Sequence, residues 1–225
     1  MIYSSLPPSE AAHLDILEKV FQRLSEAGLR LKKEKCSFFT KEVSYLGHRI
    51  DQEGLHPLND KVRAIVEAPT PTNVSELRSY LGLLNYYGKF IPNLSTILAP
   101  LNKLQRKGVA FQWGAAQRQA FEKTKVLLQS SRILVHYDPD KEIVLSCDAS
   151  PYGVGCVLSH IMDDGEERPI AFASRTLSDT ETRYATIDKE GLAIVFGVIY
   201  KEVSPIPVWT IVMYWPEHPF IIIAR

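Results

Sequence analysis

Cysteine is scarce here, and net charge is absent. Only Cys36, Cys147 and Cys156 occur in 225 residues; none makes a CxxC spacing, and an odd number does not suit a secreted disulfide framework. They read as reduced core or strand thiols. No apolar run approaches the roughly 18 residues that span a bilayer, and Met1-Ile2-Tyr3-Ser4 lacks the basic-then-apolar layout of a signal peptide. The expectation is a soluble, intracellular chain with no membrane partner. The remaining composition, 45% hydrophobic and 10% aromatic, excludes disorder and collagen-like repetition and suits one or two domains.

The balance of 26 basic and 26 acidic residues conceals an asymmetry: residues 1–130 carry +6 and residues 131–225 carry −6. Such a division suits a surface that tracks phosphates beside a site that needs carboxylates, for instance around metal ions. Charge alone equally allows chance segregation of solvated side chains.

Leu14, Leu17, Phe21 and Leu24 recur at helical spacing, and Gly28 follows where a left-handed cap is wanted, which predicts an amphipathic helix over 10–27. The β-prone runs 29–31, 36–39 and 43–50, closed by Asp51-Gln52-Glu53-Gly54, predict a small antiparallel hairpin set. Asn59-Asp60 can cap a short helix that stops before Pro69. Asn73 with Glu76 forms a capping-box pattern ahead of Leu77, Tyr80, Leu81 and Leu84. Helices are expected over 96–106 and 115–129, with Phe111 and Trp113 pinning the loop between them. The texture then changes, and a domain boundary is placed near residue 131. Runs 142–146, 153–159 and 169–174 predict a three-stranded meander, with a turn at Asp163-Asp164-Gly165, and 184–200 reads as a helix.

Two carboxylates stand out. Asp148 lies in Cys147-Asp148-Ala149-Ser150-Pro151-Tyr152-Gly153-Val154-Gly155, where an acid in an apolar strand needs a cation, metal or donors facing it. Its ordinary reading is the start of a turn with Ser150 and Pro151. Glu190 lies near the start of a helix, where an acid also favours the macrodipole without further purpose. Paired with Asp148 it could share magnesium, which takes hard oxygen ligands and often only one or two carboxylates.

The ordered segments HLDILEKVFQRLSEAGLRLKKEKCSFF, YLGHRID with Gly54 and His56-Pro57 following, LRSYLGLLNYYGKFIPN with APL, FQW, CDASPYGVGCVLSH, PIAFASRTL and YATIDKEGLAIV carry a resemblance. From about Met1 to Val198 the chain resembles the Pol polyprotein of gypsy-type LTR retrotransposons, from the end of reverse transcriptase into ribonuclease H. The resemblance implies an α+β and α/β chain. Residues 1–130 would be the palm end and helical region of reverse transcriptase, 131–200 an incomplete ribonuclease H-like mixed sheet, and 201–225 a divergent tail. It implies Mg2+ as cofactor and an RNA–DNA hybrid or other nucleic acid as partner, bound weakly and without sequence preference. Asp148 matches the first metal-binding aspartate of the ribonuclease H motif and Glu190 the glutamate of its first helix. Tyr45, Leu46, Gly47 and His48 resemble the hairpin that grips the primer strand, with Lys32, Lys33 and Lys35 as neighbouring phosphate contacts. Tyr80, Tyr86, Tyr87 and Phe90 read as core in preference to base-stacking platforms.

Two departures qualify this. The family's Tyr-x-Asp-Asp turn is absent, so no residue is assigned to nucleotidyl transfer. After Ile199 the expected third carboxylate of a Thr-Asp-His-like motif is also missing; a strand over 209–213 and a substitute role for Glu217 remain as expectations. The leading reading is a truncated Pol product whose polymerase and hybrid-cleaving activities are lost or strongly impaired. The alternatives are a non-catalytic nucleic-acid-binding remnant and a non-functional translation product.

Overall fold

The computed structural model describes residues 10–38, 40–130 and 133–199, together with the backbone of two short strands at 212–214 and 222–223. The expectation for Glu217 lies outside the described residues, as does the side chain of Lys35.

Helix α1 (Glu10–Glu26) ends as its glycine predicts. Gly28 sits at φ +70, and the amides of Gly28 and Leu29 reach back to the carbonyls of Ser25 and Leu24, the two bonds of a Schellman cap. Its apolar stripe is not covered: no residue of α1 is buried among the described residues, and Leu14 and Phe21 stay 56% and 39% exposed. Runs 29–31 and 36–38 are not strands, contrary to expectation. No described strand lies beside them, and Lys33–Lys35 instead forms a single 3-10 turn.

The run 43–50 folds back on itself. Strands β1 (Glu42–Tyr45) and β2 (His48–Asp51) pair through a two-residue turn, and β3 (Leu55–Pro57), which the sequence did not reveal, completes an antiparallel sheet. Helix α2 (Asn59–Val66) begins after Leu58 without a side-chain cap, so Asn59 does not serve as one. Helix α3 (Val74–Tyr86) has the expected cap: Glu76 N donates to Asn73 Oδ1 at 2.9 Å, while the Glu76 carboxylate accepts from Thr72 N at 2.8 Å and Asn73 Nδ2 at 2.9 Å. Helix α4 (Leu94–Lys103) starts two residues earlier than expected, after Asn93 in the left-handed region at φ 51. Helix α5 (Ala115–Gln129) matches its expected span. These helices enclose one core of Leu77, Leu84, Tyr87, Leu101, Phe121 and their neighbours, against which Phe111 and Trp113 pack.

The meander is longer than its apolar runs. Strands β4 (Ile143–Ala149), β5 (Gly153–Ile161) and β6 (Glu167–Thr176) are antiparallel neighbours, and helix α6 (Thr186–Ile199) packs across β4 and β5 through Leu145, Cys147 and Cys156. The described tail residues add β7 (Val212–Tyr214), parallel to β4, and β8 (Ile222–Ile223), antiparallel to β7. The sheet order is therefore β6-β5-β4-β7-β8. Its other face meets α4. Ser95 N donates to Ser174 Oγ at 3.0 Å, Thr96 and Ser150 share a hydroxyl hydrogen bond at 2.7 Å, and Phe172 joins the helical core.

Candidate carboxylate site and nucleic-acid interface

Asp148 is a strand residue and does not start the turn. It pairs with Gly155 in an unbroken β4–β5 ladder, and the turn begins at Ser150, whose hydroxyl accepts from Tyr152 N and Gly153 N. Alternation along β4 sends Cys147 toward α6 and Asp148 to the opposite face, where Asn93 Nδ2 approaches its Oδ2 at 3.4 Å. Gly155 makes this possible: Asn93 Oδ1 fills the space a side chain at 155 would need. The carboxylate is exposed and makes no ion pair with a described cation.

Glu190 is half-buried on the N-terminal part of α6, one turn before Ala193, which is packed with Val154, Leu177, Cys147 and Ala149. Its charge lies close enough to Cys147 to help raise that thiol, after burial and Cys156. Asp148 and Glu190 thus flank the same end of β4, the former from the α4 face and the latter from the α6 face. Among the described residues β7 pairs with β4 only along Val144–Ser146. The outer edge of β4 at residue 148 has no described strand beside it. Carboxylate oxygens are the hard donors that magnesium prefers, and these are the two residues that could supply them.

A second acidic group was not anticipated. Ligand atoms of Asp51, Glu53 and His56 lie within 4.8 Å of one another. Asp51 Oδ1 already accepts from Glu53 N (3.0 Å), Gly54 N (3.1 Å) and His56 Nε2 (2.9 Å), and Arg49 Nη2 stands 3.2 Å from its other oxygen. Burial would raise the Asp51 pKa, but the bonds from His56 and the turn amides outweigh it and hold the carboxyl below its usual range. The guanidinium and the three donors make this a turn closure and leave little for a cation.

The hairpin tip is held from beneath. Leu46 (φ 43) and Gly47 (φ 73) form the turn; Tyr86 Oη donates to Leu46 O, and Tyr87 Oη donates to Gly47 O at 3.0 Å. Leu46 is 66% exposed and Tyr45 46%, so the tip projects to solvent. His48 does not. Its ring is buried among Tyr86, Tyr87 and Phe90, and burial first, then Lys89, lowers its pKa. It supports the hairpin from inside as a neutral ring, which leaves the backbone of the hairpin as the part that can face phosphates. Lys32 and Lys33 are exposed. Tyr80, Tyr87 and Phe90 are core, while Tyr86 is 49% exposed with its hydroxyl on the hairpin. A cavity of about 850 Å3 runs from Tyr45, Leu46 and His48 past Tyr86 and Lys89 to Arg175 on β6. Asn93, Tyr86 and Tyr87 escaped the sequence reading as partners of these sites because their contacts span 40 to 55 residues.

A family described as the RNase H-like domain found in reverse transcriptase matches residues 113–202, and one described as reverse transcriptase (RNA-dependent DNA polymerase) matches residues 1–50. The Transposon Tf2-3 and Tf2-4 polyproteins of Schizosaccharomyces pombe are each 37% identical over 187 residues. These matches cover 83% of this chain and 14% of each polyprotein, so the chain spans a small part of the relatives it resembles. The foamy viral protease-reverse transcriptase in complex with an RNA/DNA hybrid aligns with TM-score 0.73 and 28% identity over 92% of this chain and 28% of that one. The same viral protein with dsDNA aligns with TM-score 0.71 and 29% identity over 91% and 42%.

Proposed function

Because the chain belongs to the reverse transcriptase and ribonuclease H region of gypsy-type retrotransposon Pol polyproteins, we propose that it binds nucleic acid along the hairpin side and holds one magnesium ion at Asp148 and Glu190, with hybrid cleavage strongly impaired. The functional division falls near residue 131. The observation that carries the reading is the exposed Asp148 at the edge of β4, free of ion pairs with described cations, at the strand end over which the first turns of α6, bearing Glu190, pack from the other face.

Asp148 and Glu190 supply hard oxygens, and Asn93 orients the Asp148 carboxylate by donating to it. Bound magnesium in such a site supplies positive charge for the attacking water and leaving oxygen of a phosphodiester. The proposed impairment is argued from β7, the described strand next to β4, which reads Val212-Met213-Tyr214 and carries no carboxylate. A second cation lacks a ligand there, and each lost transition-state contact of about 3–4 kcal/mol costs roughly 10²–10³ in rate. Binding draws on the +6 charge of residues 1–130 and on the nucleic acids held by the foamy viral neighbours.

The test pairs binding with cleavage. Manganese-enhanced water relaxation should report a bound ion with the native chain and lose it in D148N/E190Q. Labelled RNA in an RNA–DNA hybrid should remain at background hydrolysis. Equal metal binding by native and doubly substituted chains refutes the site, whereas magnesium-dependent cleavage abolished by D148N shows that the site is complete.

A further inference from the structure

We propose that Cys147 and Cys156 are a dithiol that is reversibly oxidised to a cross-strand disulfide beside Asp148. The two residues are direct partners in the β4–β5 ladder. The kind of pair follows from the ends of that ladder. Ser150 N donates to Gly153 O at 2.8 Å, and Ile161 N donates to Glu142 O at 3.1 Å. Hydrogen-bonded pairs therefore fall on the even-numbered positions of β4, which makes Cys147 and Cys156 a non-hydrogen-bonded pair. The Cα atoms of such pairs lie about 4.5 Å apart, with side chains closer than at hydrogen-bonded positions. Disulfides accept Cα separations of about 4.4–6.8 Å, so the pair sits at the short end of that window without backbone movement.

Both thiols also lie under one lid. A Cβ placed on Gly197 of α6 would be 2.9 Å from Cys147 Sγ and 3.3 Å from Cys156 Cβ, so the helix backbone covers the pair from a single side. Cys156 is buried and Cys147 partly exposed, which makes Cys147 the sulfur that an incoming reagent meets first. Burial pushes both thiols to about 12; they rest protonated, and exchange near neutrality is slow.

Oxidised glutathione is a sufficient co-reactant. The Cys147 thiolate attacks one of its sulfurs and expels the first glutathione thiolate. The Cys156 thiolate then attacks Cys147 Sγ of the mixed disulfide and expels the second. Two protein thiols are oxidised, one glutathione disulfide is reduced to two thiols, and the two cysteine protons end on the leaving sulfurs. The reverse exchange with excess thiol breaks the bridge and restores both protein thiols. This proposal rests on sheet register and stands apart from the metal reading.

The experiment uses the full chain carrying C36S, which leaves only the two partner thiols. The reduced, folded protein is incubated with excess oxidised glutathione, quenched in acid, weighed intact and mapped by peptides. The expected product has lost both free thiols and two hydrogens, carries no glutathione, links the peptides of 147 and 156, and returns to the starting mass with dithiothreitol. C36S/C156A should yield no such product. The proposal is overturned if the folded C36S chain stays reduced while the urea-unfolded chain reacts, stops at a glutathione adduct, or links only between molecules. If C36S does not fold, peptide mapping of the unsubstituted chain separates the same outcomes.

Discussion

Gly47→Ala tests whether the hairpin is held in place by the tyrosines beneath it. Gly47 has φ +73, and a side chain in the left-handed region costs about 1–2 kcal/mol. The added Cβ would also stand 2.9 Å from Tyr87 Oη, a contact that must open. Tyr87 is 1% exposed, and its hydroxyl donates to Gly47 O at 3.0 Å. Displacing it from that acceptor leaves a buried donor unsatisfied, which costs about a further 1–3 kcal/mol. The expected destabilisation is thus about 2–5 kcal/mol. Urea unfolding followed by tryptophan fluorescence and far-ultraviolet dichroism measures it from the midpoint shift. Tyr87→Phe removes the hydroxyl and with it the collision, so G47A in the Y87F background should cost only the backbone portion. The double-mutant cycle should show coupling of about 1–3 kcal/mol. Additive effects, or a G47A cost below about 0.5 kcal/mol, would refute the account of the turn.

His48 has its folded pKa lowered, mainly by burial, so the unfolded chain binds the proton more readily. Its share of stability is complete above the unfolded value of about 6.5 and is lost as pH falls below it; H48F should flatten the melting-temperature profile between neutral and mildly acidic pH. Arg175 grips Glu181 through two 2.9 Å bonds and, with Ser178 N, holds its carboxyl at about 2. That contribution is present above the ordinary glutamate range and fades as pH falls toward 2. E181Q should cost about 1 kcal/mol at neutral pH, the pair being partly screened by solvent, and an unchanged urea midpoint would contradict it. N73A should destabilise by about 1 kcal/mol through loss of the α3 cap, read by the same unfolding curve. In the binding assay, affinity for a hybrid should fall with rising salt, and K32A/K33A should reduce the slope of that dependence; an unchanged slope removes these lysines from the interface.

Where neighbours in sequence supply both partners of an interaction, the amino-acid order alone was sufficient. Asn73 and Glu76 cap their helix from three residues apart, Gly28 ends α1 because it alone tolerates the left-handed turn cheaply, and α5 spans the stretch its periodicity marks. The motif residues Asp148 and Glu190 were likewise legible as candidates. Their surroundings were not. Whether Asp148 belonged to a turn or a strand depended on β5 presenting Gly155 opposite it, and the donor that meets its carboxylate, Asn93, comes from 55 residues away. That the His48 ring lies inward, against Tyr86, Tyr87 and Phe90, was likewise decided by residues about 40 positions away. Within the β-prone run 43–50 the motif marked a hairpin at Tyr45–His48, but the positive φ of Leu46 and the tyrosine hydroxyls that meet the turn carbonyls came only with the fold. Pairing and burial are decided by groups distant in sequence, which no local pattern encodes; the Asn73 cap, the Gly28 turn and the α5 periodicity are decided within a few residues, and those the sequence determined by itself.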